Sequence, residues 1–251
     1  MTRGRLAVLL VAPLMLMLAA RLPAAWLAPR VAAACGGRCA LTDIEGTWRA
    51  GRARLVTLDG RGEAVPLLPL AWQWQPAALF GGALVWRLDA PATGELRLAA
   101  AGLSVRTAPV PLAAAALEPL LAGRLGLSRW DGTISVRAES LSCDWQGECR
   151  GGIDGEWCDV RFASAYADAL GDYAFTFSRD AAAPWQGRVK ALRGPLWLDV
   201  AAHAGRIAGE AHIDAPARAK LAPLVGGLAA FDAASGRYRI DLPLVLDGSA
   251  S

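Results

Sequence analysis

The chain has no asparagine, only two lysines (Lys190 and Lys220) and only two histidines (His203 and His212) in 251 residues. Charged residues make up 20% of it, and phenylalanine and tyrosine are scarce (Phe 5, Tyr 3) beside Trp 10. So low a charge with so much apolar content excludes a disordered chain. The formal net charge is +3 and the arginines are scattered, so there is no basic face of the kind that holds nucleic acid. His203 and His212 lie on separate strand-like segments without companion ligands nearby, which reads as two strand histidines rather than a metal site. No Gly-x-Ser-x-Gly elbow, phosphate loop or His-Glu-x-x-His is present, and Gly81-Gly82 and Gly226-Gly227 are turn glycines without a phosphate-binding context. Glu45, Asp154 and Glu156 can be posed as an acid/base set, but nothing separates them from a solvated strand edge. The expectation is a protein without catalytic residues, cofactor, metal or small-molecule substrate. A carbohydrate-active enzyme rests on tryptophan richness alone, without a paired-acid motif.

What the chain does have is apolar content: 54% hydrophobic residues and a mean hydropathy of +0.30. Much of it sits at the start. After the basic Met1-Thr-Arg-Gly-Arg5, the run from Leu6 to Ala20 carries no charge and includes Leu9, Leu14 and Leu18. As a helix this run is ~22 Å long, and counting on through Leu27 gives ~33 Å, enough for a ~30 Å hydrocarbon core. Arg21 then snorkels and Trp26 takes the interfacial belt. The reading is an uncleaved anchor over 6–28 behind a cytoplasmic tail of 1–5. The alternatives are a cleaved signal peptide, although Arg21 and Pro23 spoil the cleavage site, and a lipoprotein box at Ala32-Ala33-Ala34-Cys35. Arginines flank the run on both sides, so charge does not orient it.

Beyond a linker over 29–45, period-two alternation dominates. Leu70, Trp72 and Trp74 alternate with Ala71, Gln73 and Gln75; Tyr173, Phe175 and Phe177, and the series Tyr238, Ile240, Leu242, continue the pattern. Turn signals such as Asp59-Gly60, Asp131-Gly132 and Ser235-Gly236 separate the segments. This predicts antiparallel sheet with one apolar and one wet face. Two proline-opened segments, 111–123 and 216–226, read as short helices and share Leu117-Glu-Pro-Leu120 against Leu221-Ala-Pro-Leu224. Gly46-Thr-Trp48 likewise resembles Gly155-Glu-Trp157. The expected fold is mainly β: an N-terminal transmembrane helix followed by a periplasmic domain of two duplicated antiparallel meanders, each with one short helix, over 46–127 and 128–247, and a tail of 248–251.

Five cysteines remain. Cys35 and Cys39 form one close pair and Cys143 and Cys149 another, with Cys158 the odd one; pairings of Cys158 with Cys143 or Cys149 are also compatible with neighbouring strands. Zinc fits poorly, because the spacings are irregular and no histidine lies close. Close pairs suit an oxidising compartment, which puts the bulk of the chain in the periplasm. Trp48, Trp72, Trp74, Trp86 and Trp157 are candidate core residues, with a ligand groove as the rival reading.

These features resemble a known family. An anchor followed by Leu22-Pro-Ala-Ala-Trp26 comes first, then Ile44-Glu-Gly-Thr-Trp-Arg-Ala-Gly51, then Leu70-Ala-Trp-Gln-Trp-Gln-Pro76 with Leu79-Phe-Gly-Gly82. The helix from Pro111 to Leu121, Leu170-Gly-Asp-Tyr173, Gly194-Pro-Leu196 and Gly236-Arg-Tyr-Arg-Ile240 complete the order. The chain resembles type II secretion system protein N of the general secretion pathway; the cysteines are not part of the likeness. The resemblance implies a non-enzymatic, single-pass inner-membrane protein that assists export of folded proteins across the outer membrane. Its implied partners are other inner-membrane secretion subunits, with the outer-membrane secretin as a further candidate. The competing reading is an envelope protein that handles lipid in an apolar β-groove.

Overall fold

The computed structural model describes residues 21–243, apart from 92, 126–129, 163–165, 181–182 and 228. The chain divides into two compact units, Met1–Leu98 and Ala99–Ser251. The sequence-based halves met at 127/128; the division instead falls before the first long helix, so that helix belongs with the second unit. Both units are antiparallel sheet with few short helices, as the alternation predicted.

In the first unit a 3-10 turn, Ala24–Leu27, leads into α1, Ala28–Ala34. Five strands follow as a meander in sequence order: β1 Cys39–Gly46, β2 Ala50–Leu58, β3 Ala64–Trp74, β4 Ala83–Asp89 and β5 Gly94–Ala99. A 3-10 turn, Pro76–Gly81, joins β3 to β4. Of the segment read as an anchor, residues 6–20 with Leu6, Leu9, Leu14 and Leu18 lie outside the described residues. Its last part departs from the expected continuous helix: Pro23 is extended and forms an antiparallel bridge with Thr47, and Ala24 is 1% exposed. A proline without an N–H, preceded by another non-helical position, ends any helix arriving from the N-terminal side. Among the described residues no helix is long and apolar enough to cross a membrane.

The second unit holds β6 Gly102–Thr107, β7 Val110–Ala113, α2 Ala114–Leu125, β8 Trp130–Ala138, β9 Leu141–Cys143, β10 Cys149–Phe162, β11 Tyr166–Arg179, β12 Gln186–Arg193, β13 Leu196–His203 and β14 Arg206–Ile213. After a 3-10 turn come α3 Arg218–Gly226, β15 Ala230–Asp232 and β16 Arg237–Pro243. The ladder runs β10-β11-β12-β13-β14-β16-β15, and β8 pairs with β10 and β7. Each of the two longer helices carries an internal proline, Pro119 in α2 and Pro223 in α3.

Register makes one face of this sheet apolar from end to end. Trp157 lies opposite Ile134 and Tyr173, Tyr173 opposite Ala191, Leu198 opposite Ala211, and Ala211 opposite Tyr238. The same period sends Arg137, Asp154, Arg188, Asp199, Arg206 and Asp241 to the other face, where they pair as Arg137–Asp154, Arg188–Asp199 and Arg206–Asp241. These pairs are solvent-exposed on at least one side and contribute little each. The apolar face is covered where the helices lie. Leu221 and Val225 of α3 pack on Leu196, Ile213, Ala211 and Tyr238. Ala114 of α2 packs with Trp130 and Ile134, and Trp130 stacks on Trp157 at 5.2 Å. The rows beyond the helices stay partly open, with Phe177 41% exposed.

A polar knot ties β10, β11 and β12 together. Asp159 sits in the left-handed region (φ 52°) at a bulge in β10, and its N–H donates to the Asp172 carboxylate at 2.8 Å. Arg193 forms an ion pair with the same carboxylate, which is almost wholly buried. Next to it the Tyr173 hydroxyl lies 3.0 Å from the Leu170 carbonyl and 2.9 Å from that of Leu196, donating to one at a time. Burial, then the neighbouring Asp172, pushes the phenol well above its ordinary value, so it stays a donor. The Asp159 N–H, then Arg193, holds the Asp172 carboxyl below the usual carboxylate range.

Asp172 therefore stabilises the fold above its unfolded pKa of ~3.9, and that stabilisation is lost as pH falls through the lower folded-state value. Unfolding measured in urea between about pH 3 and pH 7 is expected to show wild-type stability falling below about pH 4. Asp172→Asn should be less stable at neutral pH and lose that part of the acid slope. An unchanged slope would mean that the pair does not form.

Candidate functional site

The feature most unlike an ordinary β-sheet is one end of the first unit, where four tryptophans gather round a turn. Gly46 at the end of β1 has φ 87°, and a Cβ there would lie 2.5 Å from the Ala50 carbonyl, so only glycine closes the turn. The turn is then held from several sides. The Thr47 N–H donates to the Ala50 carbonyl, and the Trp74 N–H donates to that of Arg49 at 2.6 Å. The Trp72 indole donates to the Thr47 carbonyl at 3.1 Å, and the Trp86 indole to the Trp48 carbonyl at 2.8 Å. The Trp48 ring packs on Trp74 at 5.4 Å and edge-on against Trp86 at 6.1 Å. The Arg49 guanidinium lies 5.1 Å from the Trp74 ring centre, a cation–π contact.

β2 accommodates the rings because it carries glycine opposite them. Gly51 pairs with Trp72 across the ladder, and a Cβ on Gly51 would approach the indole to 2.6 Å. Gly155 is related to Phe175 in the same way in the second unit. Trp48, Trp72, Trp74, Trp86 and Trp157 are all half-buried: they form the packing of their sheets but keep an edge at the surface. Gln73, between Trp72 and Trp74, points to solvent. Beside them a cleft of about 460 Å³ is lined by Glu45, Arg52, Trp72, Gln73 and Asp89 among others. Arg52 forms an ion pair with Glu45 at 2.5 Å, which leaves that carboxylate engaged.

The cysteines are disposed by the same strands. Cys35 and Cys39 form a disulfide between the end of α1 and the start of β1. Cys143 and Cys149 form a second, across the register pair that closes β9 and β10 around Asp144-Trp-Gln-Gly-Glu148. Asp144 Oδ1 accepts from the Gln146 and Glu148 N–H groups at 2.9 Å each and shapes that turn. Cys158 is free, and burial, then the nearby Asp172, pushes its thiol up, which makes it a poor nucleophile. His203 is exposed and His212 half-buried on neighbouring strands. Among the described residues no group of three metal-ligating side chains gathers.

Three things escaped the sequence reading. Trp130, not singled out, is the most buried of the indoles in the second unit (4% exposed). The Asp172–Arg193 pair joins two motifs that gave no sign of touching. Phe80, in the turn after β3, is 98% exposed, with Leu79 beside it at 50% and Trp26 at 68%. Only the last had a signal: an apolar pair in a Pro- and Gly-bounded turn.

The family model for type II secretion system (T2SS), protein N, matches residues 37–241. The chain belongs to that family. No curated protein and no solved structure matches it. Membership makes it a component of type II secretion and of protein transport, a family with a structural rather than an enzymatic part. The matched span takes in the Gly46–Gly51 turn, the tryptophan strands, the Asp172 knot, α2 and α3.

Trp72 covers Gly51 and caps the turn, so Trp72→Ala removes both packing and a hydrogen bond. Truncating a packed aromatic costs on the order of 3 kcal/mol, a large part of a typical domain's ~5–15 kcal/mol. Trp72→Ala is expected to lower the steady-state protein level, whereas Gln73→Ala stays near wild type. Immunoblots of both beside a secretion assay check this. Normal accumulation of Trp72→Ala with failed secretion would make that face a working surface instead of a packing one.

Proposed function

We propose that this chain is a non-enzymatic, single-pass inner-membrane subunit of the type II secretion machinery. Its bulk lies in the periplasm, where its β-units contact other inner-membrane subunits, with the outer-membrane secretin a further candidate partner. The observation that carries the reading is the family match over residues 37–241. Three others agree with it. The charge-free run Leu6–Ala20 stands ahead of the first strands in sequence. The two disulfides suit an oxidising compartment. The sequence offers no catalytic motif.

A second reading draws on the apolar face of the second unit. Its outer row, around Phe177, Ala202 and Ile207, lies outside the core cluster that holds the helix residues, and such a face can hold an acyl chain. On that reading the protein handles lipid within the same envelope.

Two measurements separate and test these. Carbonate-washed membranes are expected to retain the full-length protein, and protease added to spheroplasts is expected to degrade it. Release by carbonate, or protection from the protease, overturns the topology. Native mass spectrometry of the detergent-extracted protein is expected to give the bare chain; a stoichiometric phospholipid that survives delipidation would favour the lipid-handling reading.

A further inference from the structure

Leu79 and Phe80 stand exposed among the described residues, Phe80 almost wholly so, and their position in the fold says what covers them. The turn Pro76–Gly81 caps β3 and β4 at the end where Trp74 faces Trp86. Trp48 packs on both rings. The Trp48 N–H donates to the Leu22 carbonyl, and Pro23 bridges to Thr47. The chain therefore joins the first unit at the same end from which Leu79 and Phe80 project. Two residue steps separate Leu22 from Ala20, the last residue of the charge-free run. Fully extended, two steps span at most ~7 Å.

That distance is close to the thickness of one headgroup layer, which is ~5–8 Å on each side of a ~30 Å hydrocarbon core. A run of Leu6 to Ala20 is ~22 Å long as a helix and falls short of that core. A short span is accommodated by drawing its flanking residues into the interface and thinning the bilayer. Leu22 to Ala24 cannot extend the span, because they are engaged by the first unit.

Resting on the anchored topology proposed above, we infer that the tryptophan-clad end of the first unit docks on the membrane surface, with Phe80 and Leu79 inserted at the headgroup–acyl boundary. Trp26, one turn after Pro23 and largely exposed, joins them as an interfacial side chain. The ionised groups at this end include Arg21, Arg49 and the Glu45–Arg52 and Arg87–Asp89 pairs, a net positive set that suits anionic headgroups. The occupant is a lipid bilayer, not a protein partner, because the anchor's own geometry brings the bilayer there.

The test uses the full chain with Cys158→Ser, reconstituted in vesicles of phosphatidylethanolamine and phosphatidylglycerol. A nitroxide is placed at Phe80→Cys, and for comparison at Arg61→Cys, in the turn at the opposite end of β2 and β3. Both sites are exposed, so neither change disturbs packing. Position 80 is expected to collide with oxygen severalfold more, and with a water-soluble nickel relaxant severalfold less, than position 61. Equal, aqueous behaviour at both positions in protein that floats with the vesicles overturns the docking while leaving the anchor intact. Protein that does not float overturns the anchored reading and the docking with it. A label at 80 that is aqueous in vesicles, with Phe80→Cys shielded from a thiol reagent in cells, assigns the turn to a protein partner and overturns the lipid assignment.

Discussion

Period-two alternation kept in register over long antiparallel ladders is the constraint on which everything else here rests. Because each strand sends successive side chains to opposite faces, one register error would turn the apolar set outward. Outside the β10 bulge and the shift beside Asp172, register is kept from β8 to β16, and the result is one apolar and one ion-paired face. A sheet with one apolar face must be covered, and α2 and α3 cover only part of it. The remaining rows are the source of the lipid-handling reading, and the helices' short length is its physical cause.

Bulges and glycines adjust this ladder where side chains outgrow the strand spacing. Aromatic rings need more room than the partner strand leaves, so Trp72 lies over Gly51 and Phe175 over Gly155. At the β10 bulge, the backbone of Asp159 turns its N–H to the Asp172 carboxylate, and Arg193 completes the charge balance. Leaving such a buried carboxylate without partners would be strongly unfavourable. The knot and the tryptophan-held turn are thus the same solution in two units: polar backbone groups freed by an irregularity are satisfied by a side chain from the next strand.

For a secretion component the consequence is antiparallel sheet with exposed apolar groups both on strands, as at Phe177 and Leu192, and at turns. Phe80 and Leu79 stand on the turn after β3, and Trp145 on the disulfide-closed turn between β9 and β10. Rigid scaffolds with apolar groups on turns suit recognition of surfaces, whether protein or lipid, better than they suit chemistry on a small molecule.

Much of this was legible in the chain. The alternation around Trp72 and Trp74 and the turn dipeptides depend on neighbours in sequence, and local periodicity reports them directly; the helix expected from Pro111 starts only at Ala114, because Val110–Ala113 pair with β8 as a strand. The family resemblance was legible for the same reason, since its motifs are local segments in a fixed order. The pairing of Cys143 with Cys149 stayed open until strand register set those two residues opposite each other and left Cys158 aside. Hydropathy counts Leu22 to Leu27 as apolar, whereas the bridge from Pro23 to Thr47 draws part of that stretch into the sheet. The Asp172–Arg193 pair, the burial of Trp130 and the exposure of Phe80 came only with the tertiary structure. Each depends on which strand or loop lies alongside, and that is set by long-range pairing between residues that carry no mark of one another in sequence.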